Sequence, residues 1–117
     1  MTSSAAVYRP TNVKVDERHP TGGANAYGRS KWGQEQVALA AGREFGVEVL
    51  IARAFNLIGP GLPDRLLAGA VCAHLRRQGH AAIKTGDLSA FRDLIDVRDT
   101  VEAYQVIAMK GRTGEIY

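Results

Sequence analysis

The sequence predicts an α/β fold with a largely parallel sheet and flanking helices, and three observations carry that prediction. Short apolar runs of strand length alternate with longer segments of helical period. The run Val47, Val49, Leu50, Ile51, Ala52 is apolar at nearly every position, as a parallel strand covered on both faces requires. Clusters of Gly and Pro punctuate the alternation.

Taken in order, Ser3 to Tyr8 reads as a buried strand end, and Arg9 to Asn25, rich in Pro, Gly, Thr and charge, as a loop. Ala26 to Phe45 has a helical pattern, with Trp32, Val37, Ala40 and Ala41 for an inner face and Gly46 placed to cap its end. Val47 to Phe55 is the buried strand. Gly59, Pro60, Gly61 and Pro63 make a second loop, and Leu66 to Arg77 a second helix. Ala81 to Thr85 and Asp93 to Val97 are expected as short strands, Arg98 to Lys110 as a helix closed by Gly111, and a further strand begins at Glu115-Ile116-Tyr117. In parallel sheets ligands bind beyond the carboxyl ends of strands, so the chemistry is expected in the loops there.

Size and composition set bounds. With 117 residues, 45% hydrophobic and 23% charged, residues 1–117 are expected to form a single domain. A chain of this length removes roughly two thirds of its unfolded surface from water, so one core is the ceiling. The net charge of +3 comes from Arg and Lys scattered along the chain, without a basic stripe interleaved with aromatics, which disfavours nucleic acid as a partner. A solvated surface or a phosphorylated small molecule would each suit that balance. Cys72 is the single cysteine, which rules out an internal disulfide and fits a cytoplasmic location; Ala70, Val71 and Ala73 around it suggest an apolar helix face. No apolar run reaches bilayer length, so no membrane partner is expected. His19, His74 and His80 have no metal-ligand spacing, and no metal site is expected.

The strongest local signal is Tyr27-Gly28-Arg29-Ser30-Lys31. Residues four apart share a helix face, so phenol and ammonium can lie together, and a cation beside a phenol favours the phenolate and equips it to accept or donate a proton. Alone, the pair reads equally as an amphipathic tyrosine beside a solvated lysine. Its company is Thr2-Ser3-Ser4-Ala5-Ala6-Val7-Tyr8 upstream, Arg53-Ala54-Phe55-Asn56-Leu57-Ile58-Gly59-Pro60-Gly61 downstream, Glu17 and Pro20 in the loop between, and Ser89-Ala90-Phe91-Arg92-Asp93-Leu94-Ile95-Asp96-Val97-Arg98-Asp99 later.

In that order and at those separations the segments resemble the extended short-chain dehydrogenases/reductases, the NAD-dependent epimerase/dehydratase family that acts on nucleotide sugars. The resemblance covers nearly the whole chain. It implies a Rossmann-like sheet, NAD or NADP as cofactor, a nucleotide sugar as substrate, and a homodimer through the long helices. It also implies roles. Tyr27 would be the catalytic acid/base, and Lys31 would favour its ionisation while hydrogen-bonding the nicotinamide ribose, so that both contact cofactor. Ser4 would orient the sugar hydroxyl or carbonyl. Asn56 would hold the nucleotide-sugar phosphate or glycosyl region, and Arg92 would bind phosphate or sugar through its planar fork. Other readings stay open: a strand-end serine bonding its own backbone for Ser4, a bare turn at Gly59 and Gly61, and an ion pair with Asp87 or Asp93 for Arg92.

Three departures shape the expectation. Members of the family that eliminate water carry an acidic residue after the active hydroxyl residue, whereas Ala5 and Ala6 stand here; a methyl group moves no proton, so an epimerase or 4-keto-reductase is preferred to a 4,6-dehydratase. Arg9 stands where relatives commonly have glycine. The sequence also contains no Gly-x-x-Gly-x-x-Gly turn between a strand and a helix, the device that holds a dinucleotide pyrophosphate. The chain is therefore expected to be a fragment that lacks the dinucleotide-binding half of the fold, neither binding cofactor nor turning over substrate by itself. The alternative outside catalysis is a shortened sugar-nucleotide-binding or scaffold protein.

Overall fold

Every named strand of the protein pairs in parallel in the computed structural model, which describes residues 1–89 and 91–117. The elements are β1 (Thr2–Ser4), a 3-10 turn (Ala5–Val7), α1 (Ala26–Phe45), β2 (Ala52–Ala54), β3 (Asn56–Ile58), α2 (Leu67–Gln78), β4 (Leu94–Asp96) and α3 (Val97–Lys110). β1 pairs with β2 in the register Ser3 to Arg53, and β3 pairs with β4 in the register Leu57 to Ile95. The expected α/β architecture with parallel strands and flanking helices is present.

The long apolar run after α1 does not make one strand. Ile51 forms a parallel bridge with Ile116, so the segment 115–117 joins the side of β2 away from β1 through Ile51 N–H to Glu115 O (3.1 Å), Tyr117 N–H to Ile51 O (2.9 Å) and Arg53 N–H to Tyr117 O (2.6 Å). At Phe55 the chain leaves that sheet, and Asn56–Ile58 pair with β4 instead. The strand expected at Ala81 to Thr85 is absent: these residues are exposed and have no partner strand. The expected buried strand over Ser3 to Tyr8 lasts only to Ser4, because the Ser4 side chain accepts from Ala6 N–H and turns the chain into the 3-10 segment.

The helices form where sequence chemistry places them. Asn25 caps α1 by accepting from Gly28 N–H at 2.8 Å, and Gly46 ends it at φ +67°, the left-handed conformation that glycine takes without steric cost. Asp96 caps α3 by accepting from Arg98 N–H at 2.8 Å while its carboxylate pairs with the Arg98 guanidinium.

The inner face of α1 differs from expectation. Gly28 and Glu35 are buried, and Lys31, Ala38, Leu39 and Gly42 share their side; Trp32, Val37 and Ala40 are exposed, Val37 by 70%, while Ala41 is half-buried. Small residues win the inner face because the helix sits too close for larger ones: a Cβ on Gly42 would lie 2.7 Å from the Val49 side chain. Cys72 also departs from expectation, being exposed on α2 while Gly69 and Ala73 of the same helix are buried. The core centres on Val7, Tyr8, Ile51 and Ala52, together with the polar Ser3, Glu35, Arg53 and Thr100. Among the described residues no helix is long and apolar enough to cross a membrane.

Candidate functional site

Ser4 ends β1, and its register partner Ala54 ends β2, so Ser4 and, two residues past Ala54, Asn56 stand at the carboxyl ends of adjacent parallel strands. Tyr27 and Lys31 lie on the first turns of α1, which packs on the 3-10 turn that follows Ser4. Gly28, directly after the tyrosine, makes that packing possible: a Cβ there would lie 2.1 Å from Ala6 O, far inside contact distance. The residue between Tyr27 and Arg29 is thus dictated by the approach of α1 to the Ser4 turn.

Within this arrangement Ser4 is half-buried and its Oγ accepts from Ala6 N–H at 3.2 Å. A hydroxyl used as an acceptor keeps its own proton to donate. Tyr27 is 56% exposed. Lys31 Nζ donates to Thr2 O at 3.4 Å and to Gln34 Oε1 at 3.5 Å, both long, so an ammonium with three protons retains donor capacity for a further hydroxyl. Ser4 Oγ–H and Lys31 Nζ–H can each donate to an oxygen of a ligand. Nothing in the sequence supplies the glycine-rich turn that a dinucleotide pyrophosphate requires.

Asn56 and Arg92 are brought to the start of the second sheet. Asn56 donates through Nδ2 to Asp93 O at 2.9 Å, and Arg92, exposed, donates through Nη1 to Phe91 O at 2.8 Å. Arg92 therefore uses a backbone carbonyl where sequence reasoning also allowed an ion pair with Asp87 or Asp93. Asp87 instead accepts from Ser89 N–H and Oγ–H, which hold its carboxyl below the ordinary range. Ala90, in the same late segment, lies outside the described residues. Gly59 answers to packing, since a Cβ there would meet the Val97 side chain at 2.4 Å. Arg9, the departure after the Val-Tyr pair, ties down the following loop through Nε to Thr21 O at 3.1 Å and its backbone N–H to Pro20 O at 2.8 Å. His19 stands edge-on to Tyr8, and His74 Nε2 lies 2.9 Å from Ala81 O.

Sequence reasoning missed the most buried polar cluster in the chain. Glu35, on α1, has no exposed surface. Its Oε1 accepts from Ser3 Oγ–H and from Arg53 Nε at 2.9 Å, and its Oε2 accepts from Arg53 Nη2 at 2.6 Å. Arg53 also reaches Glu17 O at 3.4 Å and lies 4.8 Å from the centre of the Tyr8 ring, which stacks with Phe55. The hydrogen bonds that Arg53 donates to Glu35 outweigh burial and hold the guanidinium above its ordinary pKa, with Tyr8 adding to the shift. A signal existed in the sequence: Glu35 follows Lys31 by one helical turn, on the face of α1 that carries Tyr27 and Lys31.

Two grooves flank this region. An apolar one of about 260 Å³ lies between β2 and α3, lined by Phe55, Ile95, Tyr104, Ile107 and Tyr117 among others. An open polar one of about 630 Å³ lies between Asp16–Arg18 and Gly114–Tyr117. Neither is lined by Ser4, Tyr27 or Lys31.

Comparison with known proteins agrees with the resemblance in sequence. The chain is 36% identical over 97 residues to the GDP-6-deoxy-D-mannose reductase of Pseudomonas aeruginosa, covering 80% of this chain and 32% of the reductase. It is 33% identical over 129 aligned positions to the UDP-glucose 4-epimerase of Azospirillum brasilense, covering 97% of this chain and 37% of the epimerase. Among solved structures, RMD from Pseudomonas aeruginosa complexed with NADPH matches with a TM-score of 0.89 at 31% identity over 99% of this chain and 41% of that one. The dTDP-glucose 4,6-dehydratase DesIV of Streptomyces venezuelae, with NAD and TYD bound, matches at 0.86 and 28% over 99% and 36%. The chain thus spans about a third of the length of these relatives. Residues 1–117 match the model of the NAD dependent epimerase/dehydratase family, and the chain belongs to that family.

Proposed function

We propose that the chain is the acid/base and substrate-facing part of an NAD(P)-dependent nucleotide-sugar epimerase or 4-keto-reductase. The observation that carries this reading is the seating of α1 on the Ser4 turn through Gly28, which sets Tyr27 and Lys31 beside the carboxyl end of β1. A nicotinamide cofactor, when held beside Tyr27 and Lys31, would supply or accept the hydride at a sugar carbon. Tyr27 takes the proton from, or returns it to, the attached sugar oxygen. Ser4 donates a hydrogen bond to that oxygen, and Lys31 directs its remaining donor capacity at the ribose. Asn56, beyond β2, holds the phosphate or glycosyl region of the nucleotide sugar, and Arg92, before β4, holds its phosphate or sugar. NAD or NADP use is supported by relatives whose structures contain these cofactors.

Epimerisation or ketone reduction is favoured over dehydration because Ala5 and Ala6 follow Ser4. Eliminating water requires a second group to move a proton at a neighbouring carbon, and neither methyl group can. The relatives include a reductase, an epimerase and a 4,6-dehydratase, so the preference rests on Ala5 and Ala6. A homodimer through the exposed side of α1, which displays Trp32, Val37 and Phe45, belongs to this reading.

The test is turnover by the full-length protein that carries this chain, supplied with UDP-glucose and NAD, with GDP-6-deoxy-D-mannose and NADP, and with dTDP-glucose and NAD. A 4-epimer, or reversible oxidation of the 6-deoxy sugar with formation of NADPH, is the expected product. Loss of water to give a 4-keto-6-deoxy sugar would contradict the preferred reading.

A further inference from the structure

We infer that Glu35, held by Arg53 and Ser3, is a positioning residue for the reaction proposed above. This inference rests on that reading of Tyr27, Lys31 and Ser4. Glu35 lies two turns beyond Tyr27 and one turn beyond Lys31 on α1. Its carboxylate binds Ser3, the neighbour of Ser4 on β1, and grips Arg53 of β2 with both oxygens. One buried carboxylate therefore ties together the helix that carries the acid/base pair and the strand that carries the orienting hydroxyl. Bidentate pairing of two planar groups fixes distance and rotation together, which apolar packing does not.

The energetics favour such a role. Arg53 and Glu35 keep 4% and 0% of their side-chain surface exposed, so both charges leave water almost completely, and a buried pair of this kind is weak evidence for stability because matched apolar residues often replace it without loss. Geometry is the better explanation. Close to Lys31 the only other tie from α1 to β1 by a side chain is the long bond from Nζ to Thr2 O, at 3.4 Å, among the described residues. Positional error of about 1 Å between reacting groups can cost on the order of 100-fold in rate, so a second anchor one turn away has a direct consequence for turnover.

The test uses the full-length protein that carries this chain, with GDP-6-deoxy-D-mannose and NADP or UDP-glucose and NAD as probes, whichever pair it turns over. Glu35→Leu combined with Arg53→Met removes both charges and keeps the site filled. The expected result is a protein with the thermal midpoint of the parent, a KM for cofactor within about threefold, and kcat lower by on the order of 100-fold. Glu35→Gln, which retains the oxygen shared by Ser3 and Arg53 Nε, is expected to keep more turnover than the double variant. A folded double variant with parental kcat overturns the inference. Should the double variant not fold, Ser3→Ala decides: kcat is expected to fall about tenfold and to be restored by Ser3→Thr, and parental kcat in Ser3→Ala overturns the inference. Tyr27→Phe run alongside separates the two claims, since full turnover in that variant removes the underlying reading, whereas lost turnover there with parental kcat in the double variant removes only the role of Glu35.

Discussion

Replacing Gly28 by Ala tests how α1 is seated. A Cβ at this position would stand 2.1 Å from Ala6 O, 3.0 Å from Ala6 C and 3.1 Å from the Gly23 Cα, all backbone atoms. A carbon and a carbonyl oxygen settle at about 3.4 Å, so the turn or the helix must retreat by about 1.3 Å, and no side chain can rotate away to absorb this. Overpacking of that kind costs about 1–3 kcal/mol. Against it stands the gain in helix propensity of Ala over Gly, about 0.8–1 kcal/mol. The net expectation is a loss of about 0–2 kcal/mol. Gly33, in the same helix, has nothing within 4 Å of its would-be Cβ, so Gly33→Ala should keep the propensity gain and stabilise by up to about 1 kcal/mol. Urea unfolding of both variants gives the comparison through shifts in midpoint at constant slope. Equal stability of the two would refute the close approach of α1 to the Ser4 turn.

Three further outcomes are expected. Glu35→Ala leaves the Arg53 guanidinium buried without its partner, and should cost about 3–5 kcal/mol in urea unfolding, more than removal of both charges together. Asp96 is held at a pKa of about 2, chiefly by hydrogen bonding from Arg98, below the ordinary carboxylate value; because the folded value is the lower one, its contribution is fully present above about pH 4 and is lost as pH falls towards about 2, so Asp96→Asn should flatten the acid limb of a stability-versus-pH curve, and an unchanged limb would contradict the pairing. The chain by itself should show no detectable affinity for NAD or NADP in calorimetric titration, because a few exposed hydrogen bonds worth about 1 kcal/mol each cannot offset several kcal/mol of lost freedom; a micromolar dissociation constant would contradict this.

What the sequence made legible follows from where its signals are local. The bounds of α1 were readable because Asn25 and Gly46 act within a residue or three of the helix ends, and the same holds for α3, where Gly111 closes the last turn. Parallel pairing followed from the apolar run that contains Ile51 and Ala52. The face of α1 was not readable from hydrophobicity, since what decides it is the proximity of Ala6 O to Gly28 and of Val49 to Gly42. Buried Glu35 defeats the same reasoning: its partners Ser3 and Arg53 are 32 and 18 residues away, and only tertiary structure brings them together. The apparent strand at Ala81 to Thr85 had only Ile83 and Thr85 as strand-favouring residues, and it has no partner strand among the described residues. Tyr27, Lys31 and Ser4 stood out in the sequence through the family resemblance alone, whereas the approach of Gly28 to Ala6 O and the bond from Ser3 to Glu35 had no local signal.

In the proposed reaction Tyr27 moves the proton at the sugar oxygen, and turnover by Tyr27→Phe in the full-length protein that carries this chain measures that role. Its kcat is expected to fall by about 100-fold or more, since a phenol acting as general acid/base contributes about 10²–10⁴-fold, with affinity for NAD or NADP within about twofold of the parent. Parental turnover in a folded Tyr27→Phe protein would contradict that role.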